Sequence, residues 1–129
     1  MKIKSLEPVF SDDRGVIIDL VYKTEFDAVT LITSKKGAVR GNHYHKETTQ
    51  YSYILSGKIQ AYSQPPGGPV EIKTLGSGDM MISVPFEKHA LHAVEDSELL
   101  IITKGPRGGM DYEADTFRVE PLHLQLTTS

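Results

Sequence analysis

The 129-residue chain contains no cysteine and no tryptophan. Without cysteine there are no disulfides, no thiolate metal sites and no cysteine nucleophile, so the fold must stand on packing, and a reducing compartment is compatible with it. No stretch approaches the ~20 consecutive apolar residues of a membrane span. The N-terminal run Met1–Pro8 also lacks the apolar centre of a signal peptide, so a cytoplasmic location is expected. An excess of one charge is missing too: 14 basic and 17 acidic residues are mixed along the chain, for a formal net charge of −3. Neither nucleic acid nor an anionic membrane is an expected partner of such a surface. The length suits a single core burying roughly two thirds of the unfolded chain's surface.

Helical periodicity is absent as well; no window of helical length repeats its apolar residues every 3.6 positions. Short strand-like runs take its place, at Val16–Val21, Val29–Thr33, Gln50–Leu55, Lys58–Tyr62, Val70–Leu75, Met80–Val84, His89–Val94, Leu99–Thr103 and Thr116–Val119. Glycine, proline or polar clusters separate most of them, which predicts an antiparallel sandwich or barrel. Alternation is clearest in Tyr51–Leu55, where Tyr51, Tyr53 and Leu55 share a face, and Ser56-Gly57 reads as a tight hairpin turn into Lys58–Tyr62. Gln64–Pro69 is a loop because proline removes a ladder donor and glycine weakens ordering. Gly105–Gly109 is a second loop, leading into the tail Met110–Arg118, and residues 125–129 are expected to fray.

Two of the five histidines form His43-Tyr44-His45 after a glycine-rich approach, Gly37–Asn42. On a strand alternate residues share a side, so His43 and His45 converge while Tyr44 points away. Convergent imidazoles suit a metal or a proton-transfer site; a partly exposed pair at a barrel rim has the same spacing. His92, three residues beyond His89, faces away from it on a strand, and His123 falls on the surface or at a dimer contact.

Gly37-(five residues)-His43-Tyr44-His45-(four residues)-Gln50-(six residues)-Gly57 resembles the first cupin motif. Gly78-Asp79, Val84-Pro85 and His89 are similar to the second, with the proline displaced by one and Glu87 replacing a glycine. The resemblance implies an all-β double-stranded barrel, a jelly roll, as a single domain: a short N-terminal strand region 1–27, barrel core 28–104 and C-terminal tail 105–129. It also implies a metal set of His43, His45, Gln50 and His89 for a divalent transition ion (zinc, nickel, iron or copper), with no organic cofactor. Glutamine stands where the family has a carboxylate, and a neutral amide binds an ion more weakly.

A narrower resemblance joins Arg40-Gly41-Asn42-His43-Tyr44, preceded by Asp12-Asp13-Arg14-Gly15, to the sugar-nucleotide cupins. These are the dTDP-4-keto-6-deoxyhexose 3,5-epimerases, the related ketoisomerases and the C-terminal cupin domains of capsular-polysaccharide enzymes. There the matching histidine removes a proton next to a ketone and an arginine contacts the diphosphate, which carries those roles to His43 and Arg40. Glutamine at position 50 is normal in that branch. Ser52 stands where the epimerases have lysine, and their Asp-x-Arg stretch is missing, so the chain departs from a plain 3,5-epimerase.

Two functions follow. One is a sugar-nucleotide isomerase with His43 as base, Tyr53 as a candidate acid, and Arg40, Arg14, Tyr51 and Tyr62 as substrate contacts. Each tyrosine is equally read as a core or rim aromatic, and Ser11–Gly15 as an ordinary turn. The other is a metal-binding cupin, either a small oxygenase or isomerase or a binding module without turnover. Exposed sheet edges need covering, so a homodimer is expected.

Overall fold

The computed structural model describes residues 1–106 and 113–126. The strands are β1 (Lys2–Ser5), β2 (Phe10–Asp12), β3 (Gly15–Ile17), β4 (Ala28–Ser34), β5 (Val39–Tyr44), β6 (Thr49–Ser56), β7 (Lys58–Gln64), β8 (Glu71–Gly76), β9 (Asp79–Ser83), β10 (Lys88–Ala93), β11 (Ser97–Lys104) and β12 (Phe117–Arg118), followed by a short helix, α1 (Leu122–Leu126). Two antiparallel sheets face each other, in the orders β1-β9-β6-β11-β4 and β12-β5-β10-β7-β8, and β2–β3 form a separate hairpin. From β4 onward the chain changes sheet at almost every connection, which winds the two sheets into the jelly roll expected of a cupin.

Several sequence expectations need correction. Of Val16–Val21 only Val16 and Ile17 are strand, in β3, whereas Lys2–Ser5, in the N-terminal region set apart from the barrel core, pairs with β9 from Lys2↔Ile82 to Ser5↔Asp79. In the tail, β12 adds to the edge of β5 through Phe117↔Tyr44 and Arg118↔His43. The barrel is therefore not confined to residues 28–104. Ser56-Gly57 is not a hairpin turn either, because β6 and β7 lie in different sheets. It is a corner: Gly57, at φ 93°, presses against the next corner, where a Cβ would meet Ser97 Oγ and lie 2.5 Å from the Asp96 carbonyl oxygen. The β7–β8 connection, residues 65–70, is a true hairpin loop. Residues 107–112 of the second predicted loop and tail, and residues 127–129 of the predicted frayed end, lie outside the described residues. Among the described residues no helix is long and apolar enough to cross a membrane.

Strand alternation fills the barrel in two layers. Ile54, Ile59, Ala61, Leu75, Met81, Leu91, Ala93, Leu99 and Ile101 form one apolar cluster, with Met1, Ile3 and Ile32 against it. Two residues further along, the same strands send polar side chains inward: Ser63 after Ala61, Ser83 after Met81, His89 before Leu91, Thr103 after Ile101 and Gln50 before Ser52. All five are buried. Registers Thr103↔Gln50↔Ser83 and His43↔His89↔Ser63 set them in two facing rows. The apolar layer supplies the stability, roughly 1.5–3 kcal/mol for each large side chain buried. The polar layer is where an interior costs most unless it is used.

Candidate functional site

The position of the histidines depends on a bulge in β5. Against β10 the register runs His92↔Val39, Leu91↔Arg40, Ala90↔Gly41 and then His89↔His43, so Asn42 is the extra residue. On a regular strand Arg40 and His43, three apart, would face opposite sides. The bulge resets the alternation, and both side chains point inward with their partners Leu91 and His89. Gly41 (φ 96°) and Asn42 (φ 55°) take the left-handed conformations this requires, and a Cβ on Gly41 would lie 2.8 Å from the His89 carbonyl oxygen. Asn42 also anchors the tail: its carbonyl accepts from Val119 N at 2.9 Å and its Oδ1 from Leu122 N at 2.9 Å.

Inside, the His43, His45 and His89 rings form a triangle with centroid separations of 4.8, 4.7 and 5.2 Å. Each offers a nitrogen within 4.8 Å of the other two. Tyr44 points outward and stacks between Phe86 and Phe117, at 6.3 and 5.4 Å. His45 Nδ1 is 2.7 Å from the Asp115 carbonyl oxygen, while its buried Nε2 has no hydrogen-bond partner; nor has either nitrogen of His89. His89 is 2% exposed, and burial, reinforced by the charges of His43 and His45, pushes its pKa down to about 3, so it is a neutral imidazole at neutral pH. Burial also pushes the nearby Glu87 carboxyl up. The Asp115 carboxyl goes the other way: burial would raise it, but bonds from the amides of Lys46, Glu47 and Thr48 and from the Thr48 hydroxyl hold it below the usual carboxylate value.

The triangle opens into a cavity of ≈ 660 Å³, open solvent at its mouth included. Ile32, Leu91, Leu99 and Ile101 make its apolar wall, and Arg40, Ser34, Gln50 and Thr116 join the histidines on the polar side. Arg40 spans the gap between the facing edges β5 and β4, donating through Nε to Ser34 Oγ and through Nη2 to the Thr33 carbonyl, both at 2.8 Å.

The structure thus brings together His43, His45, Gln50, His89 and Arg40. It does not bring in the tyrosines. Tyr51 and Tyr53 do share a face, as the alternation predicts, but it is the outer one, because Gln50, Ser52 and Ile54 occupy the interior positions of β6. Tyr53 is therefore corrected from candidate acid, and Tyr51 from substrate contact, to outer-face residues. Tyr62 lies outside the other sheet, packed with Ala90 and Leu122 beneath α1, its hydroxyl 3.1 Å from Gln60 Oε1. Arg14 sits in the β2–β3 turn, paired with Asp12 at 2.7 Å and absent from the cavity lining. His92 faces outward beside Val39, and the His123 ring stands 6.5 Å from Tyr62. Sequence reasoning missed Asp115, Ser34 and Thr116 and the buried hydroxyls of Ser63, Ser83 and Thr103. The hydroxyls carried a signal, since each continues the inward phase of an apolar strand; nothing local pairs Asp115 with His45, 70 residues away.

A family model described as the polysaccharide biosynthesis C-terminal domain matches residues 10–116. No curated protein matches the chain in sequence. Among solved structures, the chain is similar to a 3,4-ketoisomerase from Helicobacter canadensis, with 18% identity and a TM-score of 0.77 over 99% of this chain and 97% of the other. A sugar 3,4-ketoisomerase from Thermoanaerobacterium thermosaccharolyticum, solved in complex with TDP, gives 17% identity and 0.74 over 98% and 93%. The dTDP-4-dehydrorhamnose 3,5-epimerase from Sulfolobus tokodaii gives 19% and 0.72 over 93% and 83%. At these identities the likeness establishes the fold.

Proposed function

The chain belongs to the polysaccharide biosynthesis C-terminal domain family, and we propose that it is an isomerase, an epimerase or ketoisomerase, acting on a nucleotide-linked 4-keto sugar. The observation that carries this reading is the convergence of three imidazoles with one tethered arginine in a single half-apolar cavity. A proton next to a ketone is removed by a positioned base, and His43 is that base. With Tyr53 outside the barrel, the developing enolate oxygen is met by a neighbouring imidazole or by the Gln50 amide. Arg40, already fixed by Ser34 and Thr33, keeps further N–H donors for a diphosphate, and its orientation costs nothing on binding. The Ile32–Leu91–Leu99–Ile101 wall suits the carbon face of a deoxysugar. Such a substrate, and the absence of cysteine, fit the cytoplasm.

A divalent metal is the second reading, favoured by the unpartnered, buried Nε2 of His45 and both nitrogens of His89. Three imidazoles with a glutamine oxygen fit zinc, nickel, iron or copper, so His43, His45, His89 and Gln50 would hold it. When bound, the ion would supply Lewis-acid polarisation of the sugar carbonyl. No organic cofactor is part of the proposal. Incubation with TDP-4-keto-6-deoxyglucose in deuterium oxide should place deuterium on carbon adjacent to the carbonyl. If none of a panel of nucleotide-linked 4-keto sugars takes up label, the isomerase reading is wrong. Elemental analysis of protein purified without chelator separates the two readings, since near-stoichiometric metal moves the histidines from bare base to ligand set.

The partner is a second copy of the chain. All six residues of β2 and β3 are exposed, with Phe10, Val16 and Ile17 each more than half open to solvent. A lone two-stranded hairpin is marginal in water. Val29 and Leu31 are similarly exposed on the edge strand β4, which offers the hairpin an apolar surface on a partner. Light scattering should give twice the 14.3 kDa chain mass, and Ile17→Glu should lower it; a monomer at all concentrations refutes the arrangement.

A further inference from the structure

We infer that Asp115 is a positioning residue that fixes His45 as a lone-pair donor at Nε2. This rests on the cavity being the working site, but the tautomer is a property of the chain itself. A backbone carbonyl oxygen only accepts, so the 2.7 Å contact between it and His45 Nδ1 requires the proton on Nδ1. A neutral imidazole has one N–H, and Nε2 is left as a bare lone pair, buried, without a hydrogen-bond partner, at the corner of the histidine triangle. That is the protonation pattern a proton acceptor or a metal ligand needs, and the reverse tautomer offers neither.

The carbonyl is held in place by the same residue's side chain. One Asp115 oxygen accepts from Lys46 N at 2.8 Å; the other accepts from Glu47 N at 2.8 Å, Thr48 N at 2.9 Å and Thr48 Oγ1 at 2.9 Å. Those are the three residues after His45, so Asp115 grips both the ring and the backbone that carries it. β5 ends at Tyr44, and beyond it the His45 carbonyl accepts one backbone bond, from Phe86 N at 2.6 Å, so the Asp115 contacts are what fix the ring and the three residues that follow. The gripping segment is anchored in turn: Thr116 lines the cavity, and Phe117 and Arg118 pair with Tyr44 and His43. Asp115 touches the ring and its backbone, not the place a substrate would occupy, so its effect passes through His45.

The test is nitrogen NMR of protein labelled with ¹⁵N-histidine, at a pH above the ordinary imidazole value of about 6.5, with His45 assigned from the His45→Gln spectrum. Wild-type protein should show a protonated, pyrrole-type Nδ1 and a pyridine-type Nε2 at His45. Asp115→Ala should give a mixture of tautomers. With the sugar nucleotide, its kcat should fall about 10–100-fold, the size usual for losing a partner behind a functional imidazole, while KM changes little. If Asp115→Ala fails to fold, Asp115→Asn, which keeps one accepting oxygen and sets an amide NH₂ against the backbone donors, is read the same way. A protonated Nε2 in wild type, or a single unchanged tautomer in the folded variant, overturns the inference. Failure of every sugar substrate would leave the tautomer result standing, so the two readings fail separately.

Discussion

Replacing His43 with alanine should lower turnover of a nucleotide-linked 4-keto sugar by about 10²–10⁴-fold, the range contributed by a positioned general base, and should remove deuterium uptake next to the carbonyl. His43 is half-buried, faces inward only because of the Gly41–Asn42 bulge, and lies at ring distances of 4.8 and 4.7 Å from His45 and His89. Removing it leaves Arg40 and the apolar wall in place, so substrate affinity should change far less than kcat; Arg40→Ala should show the opposite split. Steady-state kinetics on both variants, with wash-in followed by proton NMR, separates these effects. A His43→Ala protein that still exchanges the proton at a rate within a few-fold of wild type would remove His43 from the base role and shift it to His45. Metal content measured on the same samples tells whether the loss comes from a missing base or a missing ligand.

The barrel was legible because it is written locally. Strand spacing, turn residues and the period-2 alternation of Tyr51–Leu55 are all short-range patterns. The histidine triangle was legible for a similar reason, since His43 and His45 are two apart and His89 falls at its motif position. The tyrosines show where such reasoning fails: alternation correctly sets Tyr51 and Tyr53 on one face, but which face is inside depends on Ile54 packing with Leu99 and Ile101, which no local pattern reveals. The resemblance and the closeness of Arg40 to His43 in sequence put Arg40 in the site, yet three residues on a regular strand would turn the two side chains apart; the bulge at Asn42 brings them to one side. The role of Asp115 was invisible because it depends on the tail closing against β5 across about 70 residues of chain, and closure of that kind is a property of topology rather than of any segment.

The second large effect is on stability. In metal-free protein, stability should fall steadily as pH drops from about 6.5 towards about 3, with a component due to His89 approaching 1.4 kcal/mol per pH unit, the slope of one proton taken up on unfolding. The sign follows from the direction of the shift. His89 in the fold stays neutral down to about 3 because it is 2% exposed and faces two other imidazoles, whereas in the unfolded chain it protonates near 6.5. Between those values the unfolded state binds the extra proton and gains; above both, the contribution of a neutral His89 is fully present. Asp115 acts in the same direction at lower pH, since a carboxyl held below its usual value loses its stabilisation only as pH falls through the carboxylate range. The His89 component is therefore read between about pH 6.5 and 4.5. Urea unfolding at a series of pH values, with chelator, should give wild-type stabilities that diverge from those of His89→Gln as pH rises through this window, because the variant lacks the titrating group. Parallel curves would mean that His89 finds a partner for its proton inside the barrel, and Glu87, two residues away on the chain and with a buried Oε1 that has no hydrogen-bond partner, would then be the one to supply it.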